Sequence, residues 1–327
     1  MSGIIDGLTL LLPPQAGLLR RLDNEIAASF TKLGFEEMLL PLVVDAETSG
    51  KFGKGSAVRF AAPGGGIAGL RDDMTMSAVK LSVNEMSSME RPLKVFYSGP
   101  VFRESRNRGT SFMARQEMSI GAEVFGAGAF GIALDAALSA IAACGDFKRG
   151  IQIRIGDIAL LEGLLELAGL EEGLVASVKS ALLSKDVAYV NRALGGLPGN
   201  AAASAVLELI PSNEAKRAIG MLRTLSVHFP GSGIYAKAEN AISALEAALA
   251  AYRDEDGIAF ELGLIRPLDY YTGNVFEAYA EGYGSPLLGG GQYDGLMRSV
   301  GSSESGAGFA LDLGAMLKLA EEDGTRQ

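Results

Sequence analysis

The sequence contains very little cysteine and histidine, and this scarcity excludes several kinds of site. Of its 327 residues, one is a cysteine, Cys144, and one is a histidine, His228. A single cysteine excludes an intramolecular disulfide and a cysteine-based metal cluster, and its small, apolar neighbours favour a buried, inert thiol. A single histidine near a predicted helix end favours a structural role. Zinc sites and catalytic triads are poor candidates, so we expect no metal.

Long apolar runs and positive charge are also scarce. The longest apolar stretches are interrupted by Asp or Gly well before the ~20 residues that a membrane span requires. The N-terminus has no basic segment and meets Pro13-Pro14 early, so we expect no signal peptide and a cytoplasmic protein. The 29 basic and 39 acidic residues give a formal net charge of −10, which argues against general affinity for nucleic acid.

One window, residues 91–115, departs from this acidic average. Its one acid is Glu104, and its six basic residues are Arg91, Lys94, Arg103, Arg106, Arg108 and Arg115. The window is either a solvated basic loop or a site for an anion, such as a phosphate, a carboxylate or an acidic partner.

Hydrophobic spacing predicts an α+β protein. Residues 15–33 have helical spacing, and residues 35–44 read as a strand interrupted by Pro41. A hairpin and a second antiparallel pair follow. Ala/Leu-rich helices then occupy residues 156–254, the first capped by Asp157, before strand patterns return. Alternating β-α units, which indicate a parallel sheet, are absent. We therefore expect an antiparallel core, residues 1–155 and 255–327, split by a helical insertion at 156–254.

Three short motifs carry candidate binding chemistry. "GLRDDMT" places acids and a threonine at a predicted helix start, which also suits plain capping. "RPLDYYTGNVFEAY" offers a carboxylate binder, a cation acceptor and two flat walls, or simply a surface turn with core tyrosines. "LLGGGQYDGL" has three glycines, which allow close approach of a ligand or make a tight turn.

Together and in this order, these segments resemble the histidyl-tRNA synthetases, which are class II aminoacyl-tRNA synthetases. "GFEEMLLPLVV" resembles the first class II motif, a dimer-interface segment, and "GPVFRESRNRGTSFMARQEMSIGAEVFG" resembles the second. "RPLDYYTGNVFE" and "GGGQYDGL" resemble the two histidine-site signatures, and "GAGFALDLGAML" lies where the third class II motif belongs. The resemblance covers about residues 10–126 and 258–318. It implies a class II aminoacyl-tRNA synthetase-like antiparallel sheet core flanked by helices, with a helical insertion.

The sequence departs from this family where ATP would bind. Gly314 and Ala315 replace a Glu-Arg pair, Asp312 replaces a glycine, Ser105 replaces an acid, and Gln292 replaces an arginine. An arginine that pairs with phosphate cannot be replaced by Ala or Gln without losing a charge-assisted contact. We therefore expect no catalytic residue and no cofactor. The chain ends soon after the third motif, so we also expect no anticodon-binding domain and no tRNA partner.

The residues that match the family's histidine pocket are largely kept. They are Asp73, Thr75, Arg103, Glu123, Arg266, Tyr270 and Tyr271, with Ser119 where a glutamine is usual. The resemblance implies that Asp73 and Thr75 hold the α-amino group and that Arg103 or Arg266 holds the carboxylate. By the same resemblance, Glu123 and the tyrosines face the imidazole.

A synthetase core that keeps a histidine pocket but loses its ATP chemistry resembles the regulatory subunits of ATP phosphoribosyltransferase. The resemblance implies a non-catalytic subunit that activates the short-form catalytic subunit in the first step of histidine biosynthesis, with histidine as feedback effector. It also implies a homodimer within a hetero-oligomer, with no membrane partner. Two alternatives stay open: a truncated amino-acid-activating ligase that forms an adenylate for a non-tRNA acceptor, and a histidine-binding module with another partner.

Overall fold

The structure is a computed structural model that falls into two units, each described by itself. It describes residues 10–46, 58–104, 114–144, 150–197, 199–211, 213–229, 232–252, 257–268 and 270–324. Unit 1 comprises residues 1–129, 136–148 and 296–327, and unit 2 comprises residues 130–135 and 149–295.

The elements in the described residues are numbered in chain order. The strands are β1 (Glu36–Glu37), β2 (Val43–Asp45), β3 (Arg59–Ala61), β4 (Ile67–Leu70), β5 (Leu93–Glu104), β6 (Ala114–Phe125), β7 (Gln152–Asp157), β8 (Asn213–Glu214), β9 (Ile258–Phe260), β10 (Asn274–Tyr279), β11 (Leu288–Gln292) and β12 (Gly306–Asp312). The helices are α1 (Gln15–Lys32), α2 (Thr75–Asn84), α3 (Ala129–Ala143), α4 (Ile158–Leu167), α5 (Glu172–Leu183), α6 (Val187–Gly195), α7 (Ala201–Leu209), α8 (Ala215–His228), α9 (Ile234–Ala251), α10 (Asp294–Ser299) and α11 (Leu313–Gly324).

The predicted amphipathic helix at the start of the chain is confirmed as α1. Its buried residues Leu22, Ile26 and Phe30 recur every four positions, which places them on one face. The Phe30 ring lies 5.6–5.9 Å from three other phenylalanine rings, counted between ring centroids. This aromatic cluster anchors the helix against the strands of unit 1.

The main strands of unit 1 lie in the order β1, β5, β6, β12. β6 pairs antiparallel with both β5 and β12, which confirms the predicted antiparallel pair. β1 pairs parallel with β5, so the core is mixed at this edge. Strands β2, β4 and β3 form a small antiparallel sheet that contains the predicted hairpin. Pro41 lies between β1 and β2, where no ladder hydrogen bond is needed.

The strands of unit 2 lie in the order β11, β10, β7, β9, β8. β10 pairs antiparallel with β11 and β7, whereas β7 and β9 are parallel. Helices α4 to α9 fall within residues 158–251, and Asp157 caps α4 as predicted, because its Oδ1 accepts a 2.8 Å hydrogen bond from the Leu160 amide. The division into a split core and an insertion at residues 156–254 stays a prediction.

Two further sequence expectations concern single residues. Cys144 is buried, as predicted, and burial raises the pKa of its thiol to about 12, so the thiol stays protonated at neutral pH. His228 is the last residue of α8, as the sequence indicated. Across the described ranges, no helix combines the length and apolarity that crossing a membrane requires.

Candidate functional site

A buried cluster of hydroxyl and carboxylate groups lies in unit 1, at the centre of β5 and β6. The hydroxyl of Tyr97 donates a 2.5 Å hydrogen bond to Oε1 of Glu123, and Oγ1 of Thr75 lies 3.3 Å from the same hydroxyl. All three side chains are buried, and Glu123 has no exposed surface. A charged group in this position needs hydrogen-bond partners because water does not reach it.

Two glycines provide the space for this cluster. Gly308 of β12 lies opposite Glu123, and a Cβ atom there would overlap the Glu123 carboxylate. Gly121 lies opposite Tyr97, where a Cβ atom would come within 2.8 Å of the tyrosine ring. The absence of side chains on these neighbours lets both polar groups lie flat against the sheet.

The charges in the cluster keep the tyrosine as a hydrogen-bond donor. Burial, together with the nearby charge of Glu123, raises the pKa of Tyr97 well above its ordinary value. Burial also raises the pKa of Asp73, while hydrogen bonds and the charge of Arg103 act in the opposite direction. Oδ1 of Asp73 accepts a 3.1 Å hydrogen bond from the Met76 amide, so this acid also caps α2.

The structure thus joins two of the predicted site residues, Thr75 and Glu123, through a residue that the sequence did not single out. Tyr97 lies opposite Gly121, two positions from Glu123 along β6, and this diagonal spacing is within reach of an aromatic side chain. The alternation along the antiparallel pair was the signal that could have identified it.

Arg103 and Ser119 lie further along the same strand pair. Nη1 of Arg103 donates a 2.8 Å hydrogen bond to Oε2 of Glu117, and its Nε donates to the Asp72 carbonyl at 3.1 Å. Ser119 is buried and lies between Gly99 of β5 and Asp312 of β12 in the strand register. The arginine that the sequence predicts for carboxylate binding is therefore already paired with an acid.

Asp312, the acid at the altered third motif, closes the start of α11. Its Oδ1 accepts hydrogen bonds from the amides of Gly314 at 2.8 Å and Ala315 at 3.1 Å. These amides belong to the first turn of the helix, where main-chain donors have no partner within the helix. The substituted acid is therefore a helix cap, a role that the sequence motif alone does not indicate.

A cavity of about 410 Å³ opens beside this cap. Its lining includes the acids Glu117, Asp312 and Glu321, and the base Lys318. The apolar part of the lining comes from residues 10–12, from Leu19 of α1, from Met118 of β6 and from residues of α11. An anion entering this cavity would meet more negative than positive side chains.

Unit 2 contains the other predicted site residues. Nη1 of Arg266 lies 2.7 Å from Oε1 of Glu277, and both side chains are largely buried. Glu277 also accepts a hydrogen bond from the hydroxyl of Tyr279. The Arg266 guanidinium lies over the ring of Tyr271 at 5.5 Å, and the rings of Tyr270 and Tyr271 are 4.7 Å apart.

The glycine run of β11 makes room for these side chains. A Cβ atom at Gly289 would overlap the Arg266 guanidinium, and one at Gly291 would lie 2.9 Å from the Tyr271 ring. The sequence suggests that these glycines let a ligand approach the backbone closely. In the structure, the side chains of Arg266 and Tyr271 occupy the space beside them. Gln292, the residue in place of an arginine, donates from Nε2 to Oδ2 of Asp294 at 2.7 Å.

In the basic window, residues 91–115, the basic side chains that the structure describes form ion pairs or hydrogen bonds within unit 1. Nε of Arg91 lies 2.9 Å from Oε1 of Glu304, and Nζ of Lys94 donates to the Leu33 carbonyl at 2.6 Å. Arg106 and Arg108 lie outside the described residues, as do Ser105 and, in unit 2, Asp269. No group of three or more His, Cys, Asp or Glu side chains suited to a metal ion occurs in the part of the chain that the structure describes.

Comparisons with known proteins show the family to which the chain belongs. The family model described as histidyl-tRNA synthetase matches residues 7–316. A relative from Moorella thermoacetica is 32% identical over 320 residues, which are 95% of this chain and 80% of the relative. A relative from Carboxydothermus hydrogenoformans is 31% identical, over 92% of this chain and 91% of its own. Both are named ATP phosphoribosyltransferase regulatory subunit.

The chain belongs to the histidyl-tRNA synthetase family, and within it to the ATP phosphoribosyltransferase regulatory subunits. Solved structures support the fold. An ATP phosphoribosyltransferase regulatory subunit/histidyl-tRNA synthetase from Bacillus halodurans has a TM-score of 0.82 at 19% identity, covering 98% of this chain and 83% of that chain. A histidyl-tRNA synthetase from Nostoc has a TM-score of 0.80 at 18% identity, covering 99% and 76%.

The predicted class II aminoacyl-tRNA synthetase-like α+β fold is thereby confirmed. The assignment to histidine biosynthesis as a member of the regulatory-subunit family is confirmed as well. In this chain, Thr75 and Glu123 meet through Tyr97 in unit 1, and Arg266, Tyr270 and Tyr271 gather in unit 2. Their roles toward histidine stay predictions.

Proposed function

We propose that this chain is a non-catalytic cytoplasmic subunit that binds the short-form catalytic subunit of ATP phosphoribosyltransferase, raises its activity and carries histidine feedback into the complex. The names of its relatives support the partner, because they describe a regulatory subunit of that enzyme. The proposal includes a homodimer within a hetero-oligomer and excludes a tRNA partner.

The observation that carries this proposal is the capped start of α11. The Asp312 carboxylate takes hydrogen bonds from the amides of Gly314 and Ala315, so a negative charge belonging to the protein lies at the helix start. A triphosphate at this position would face that carboxylate without the compensating arginine. Coulomb repulsion between these like charges opposes ATP binding and supports loss of adenylation.

The charge around the adjacent cavity supports the same conclusion. Glu117 and Glu321 add to the negative charge of Asp312. Against these three acids, the described lining of the cavity contains one base, Lys318. The Arg103 guanidinium already pairs with Glu117. An adenylating enzyme uses positive charge to stabilise the negative charge that develops on phosphate. Here the charge of Arg103 is already neutralised by Glu117.

The buried cluster in unit 1 supports binding of histidine. The Glu123 carboxylate is fixed by the Tyr97 hydroxyl, and a buried carboxylate of defined orientation suits a ring N–H or an ammonium group. Asp73 and Thr75 add acceptors at the start of α2. We assign the imidazole to Glu123 and the α-amino group to Asp73 and Thr75.

The predicted carboxylate binders are engaged in ion pairs, but they retain binding capacity. A guanidinium has five N–H donors, and the pair with Glu117 uses one nitrogen of Arg103. Arg266 pairs with Glu277 through one Nη atom in the same way. We propose that Arg103, which lies in unit 1 with Asp73, Thr75 and Glu123, also binds the histidine carboxylate. The roles of Arg266, Tyr270 and Tyr271 toward histidine stay predictions.

Two experiments separate the proposal from its alternatives. Calorimetry of the purified chain with histidine is expected to give heat in the wild type and much less in Glu123→Gln, while the exposed control Glu246→Gln binds as wild type. Histidine-dependent exchange of pyrophosphate into ATP is expected to be absent. Exchange at the rate of an activating ligase would instead establish the truncated-ligase alternative.

Assembly with the partner is tested by sedimentation of the chain mixed with the short-form catalytic subunit. We expect a complex larger than either protein alone. Separate sedimentation of the two proteins, together with heat on adding histidine, would favour the alternative of a histidine-binding module with another partner.

A further inference from the structure

A buried arginine in unit 1, Arg71, connects two segments that are distant in sequence. Its side chain is almost fully enclosed, and its Nη1 donates a 2.8 Å hydrogen bond to the Leu40 carbonyl. Its Nε donates a 2.8 Å hydrogen bond to the Pro100 carbonyl. One planar guanidinium therefore joins the connection between β1 and β2 to the long strand β5.

The main chain of Arg71 strengthens the same connection. Its amide donates to the Leu42 carbonyl at 3.0 Å, and its carbonyl accepts from the Phe102 amide at 2.8 Å. The turn that carries Asp73 and Thr75 begins directly after this residue. A displacement of that turn would therefore also displace the connection between β1 and β2 and the strand β5.

A guanidinium is well suited to this position. Burial lowers the pKa of Arg71, but an arginine stays charged at neutral pH. Its N–H groups diverge within one plane and reach carbonyls on two sides, whereas a lysine ammonium is a single compact donor. Hydrogen bonds from a charged donor are stronger than neutral ones, so Arg71 holds the Leu40 and Pro100 carbonyls firmly in place.

Gly99 of β5 provides the space for Arg71. A Cβ atom at this position would overlap Nη2 of Arg71, and the φ angle of +154° also favours glycine. Gly99 lies two residues after Tyr97 and directly opposite Ser119 in the strand register. Arg71 therefore lies beside the buried cluster, and its guanidinium interacts electrostatically with Tyr97.

The segment held at the other end is apolar and exposed. The exposed fractions are 86% for Leu39, 41% for Leu42 and 48% for Val43. Exposed apolar residues next to one another are typical of surfaces that become covered by a partner. Arg71 fixes the backbone of this segment from the inside, through the Leu40 carbonyl and, at 3.4 Å, the Pro41 carbonyl.

We infer that Arg71 is a positioning residue that couples ligand binding at the Asp73–Thr75 turn to the exposed segment Leu39–Val43. The inference rests on the proposed histidine site. A ligand that orders the turn also orders Arg71, which in turn restrains the carbonyls of the segment. Ligand binding and the order of this surface are then linked, and each stabilises the other.

Hydrogen exchange followed by mass spectrometry tests this coupling in the full chain, with histidine as the probe. In the wild type, saturating histidine is expected to slow exchange in peptides covering residues 36–46 and 72–78. The expected slowing at 36–46 is about fivefold or more, which is the lower range of ordinary coupling between sites. In Arg71→Met, the slowing at 72–78 remains and the slowing at 36–46 disappears.

Two other variants make the test specific. Gly99→Ala displaces the guanidinium but keeps its charge, and it is expected to reduce the response at 36–46 in the same way. Arg91→Met removes another arginine of unit 1, one that binds Glu304 and carbonyls near Met86, and it is expected to leave the response unchanged. Circular dichroism checks that each variant is folded.

The outcomes distinguish this inference from the proposed function. If histidine binds the wild type with measurable heat but exchange at 36–46 does not change, the coupling is overturned and the histidine site stands. If folded Arg71→Met or Gly99→Ala retains the full response at 36–46, Arg71 is not the positioning residue. If histidine gives no heat with the wild type, the histidine site fails first, and the coupling fails with it.

Discussion

The hydroxyl of Tyr97 and the carboxylate of Glu123 form a 2.5 Å hydrogen bond in the interior of unit 1. The bond connects neighbouring strands, and the same hydroxyl lies 3.3 Å from Thr75 at the start of α2. Two residues that the sequence assigns to opposite ends of a histidine pocket are therefore joined by one phenol. Because Tyr97 contacts both residues, a substitution at Tyr97 tests the proposed histidine site in the same way as a substitution at Thr75 or Glu123.

Tyr97→Phe is expected to lower both stability and histidine affinity. The change removes one donor from a buried carboxylate, and such a loss costs about 1–3 kcal/mol. We expect a similar loss of unfolding free energy in urea, and histidine binding weakened about tenfold by calorimetry. Tyr235→Phe, at a side chain that is 56% exposed, is the matched control and is expected to change neither quantity. Unchanged affinity in Tyr97→Phe would contradict a role for the cluster in binding.

Asp312→Ala is expected to destabilise the protein by removing the cap of α11. Loss of a capping acid costs about 1 kcal/mol, whereas Asp312→Asn keeps an oxygen acceptor for the same amides and is expected to cost less. Urea unfolding of the two variants measures the difference. Equal stability of Asp312→Ala and the wild type would mean that the carboxylate does not act as a cap.

Glu277→Ala is expected to be strongly destabilising because it leaves the buried Arg266 charge without its carboxylate. Breaking a buried pair in this way costs about 3–5 kcal/mol. The exposed pair of Arg223 and Glu246, which is 65% and 52% exposed at its side chains, supplies the control. Glu246→Ala is expected to cost at most about 1 kcal/mol. Similar losses for the two variants in thermal or urea unfolding would overturn this view of the Arg266 site.

Asp157 is expected to make stability depend on pH. Burial raises the pKa of Asp157 to about 6, against hydrogen bonds from the α4 amides. Between about pH 4 and pH 6 the unfolded chain has released a proton that the folded protein still holds, so stability falls as pH rises through this window. Asp157→Asn keeps the cap and is expected to remove about 2–3 kcal/mol of this decline, measured by urea unfolding at several pH values. An unchanged pH profile would contradict the assignment.

Much of the fold was predictable because local spacing determines it. The buried positions of α1, the Asp157 cap and the antiparallel pairing of β5 with β6 follow from periodicity and short-range hydrogen bonding. The parallel pairing of β1 with β5 and of β7 with β9 was not predictable, because it depends on contacts between segments far apart in sequence.

The candidate site was predictable in its residue types but not in its pairing. The sequence indicates Arg103 and Arg266 as anion binders, yet Arg103 of β5 is paired with Glu117 of β6, and Arg266, which precedes β10, is paired with Glu277 of β10. Both glutamates lie within the quoted motifs, but strand register and packing decide that they pair with the arginines, and the order of residues in a motif does not determine either. In the sequence, Asp312 is only an acid in place of a glycine, because its role as a cap depends on where α11 begins.

The most direct test of the central claim is the activity of short-form ATP phosphoribosyltransferase measured with and without this chain, over a range of histidine concentrations. We predict that the chain raises the rate, and that histidine lowers the rate of the mixture in the wild type but much less in Glu123→Gln. A rate that is the same with and without the chain would contradict the account, regardless of any effect of histidine on that rate.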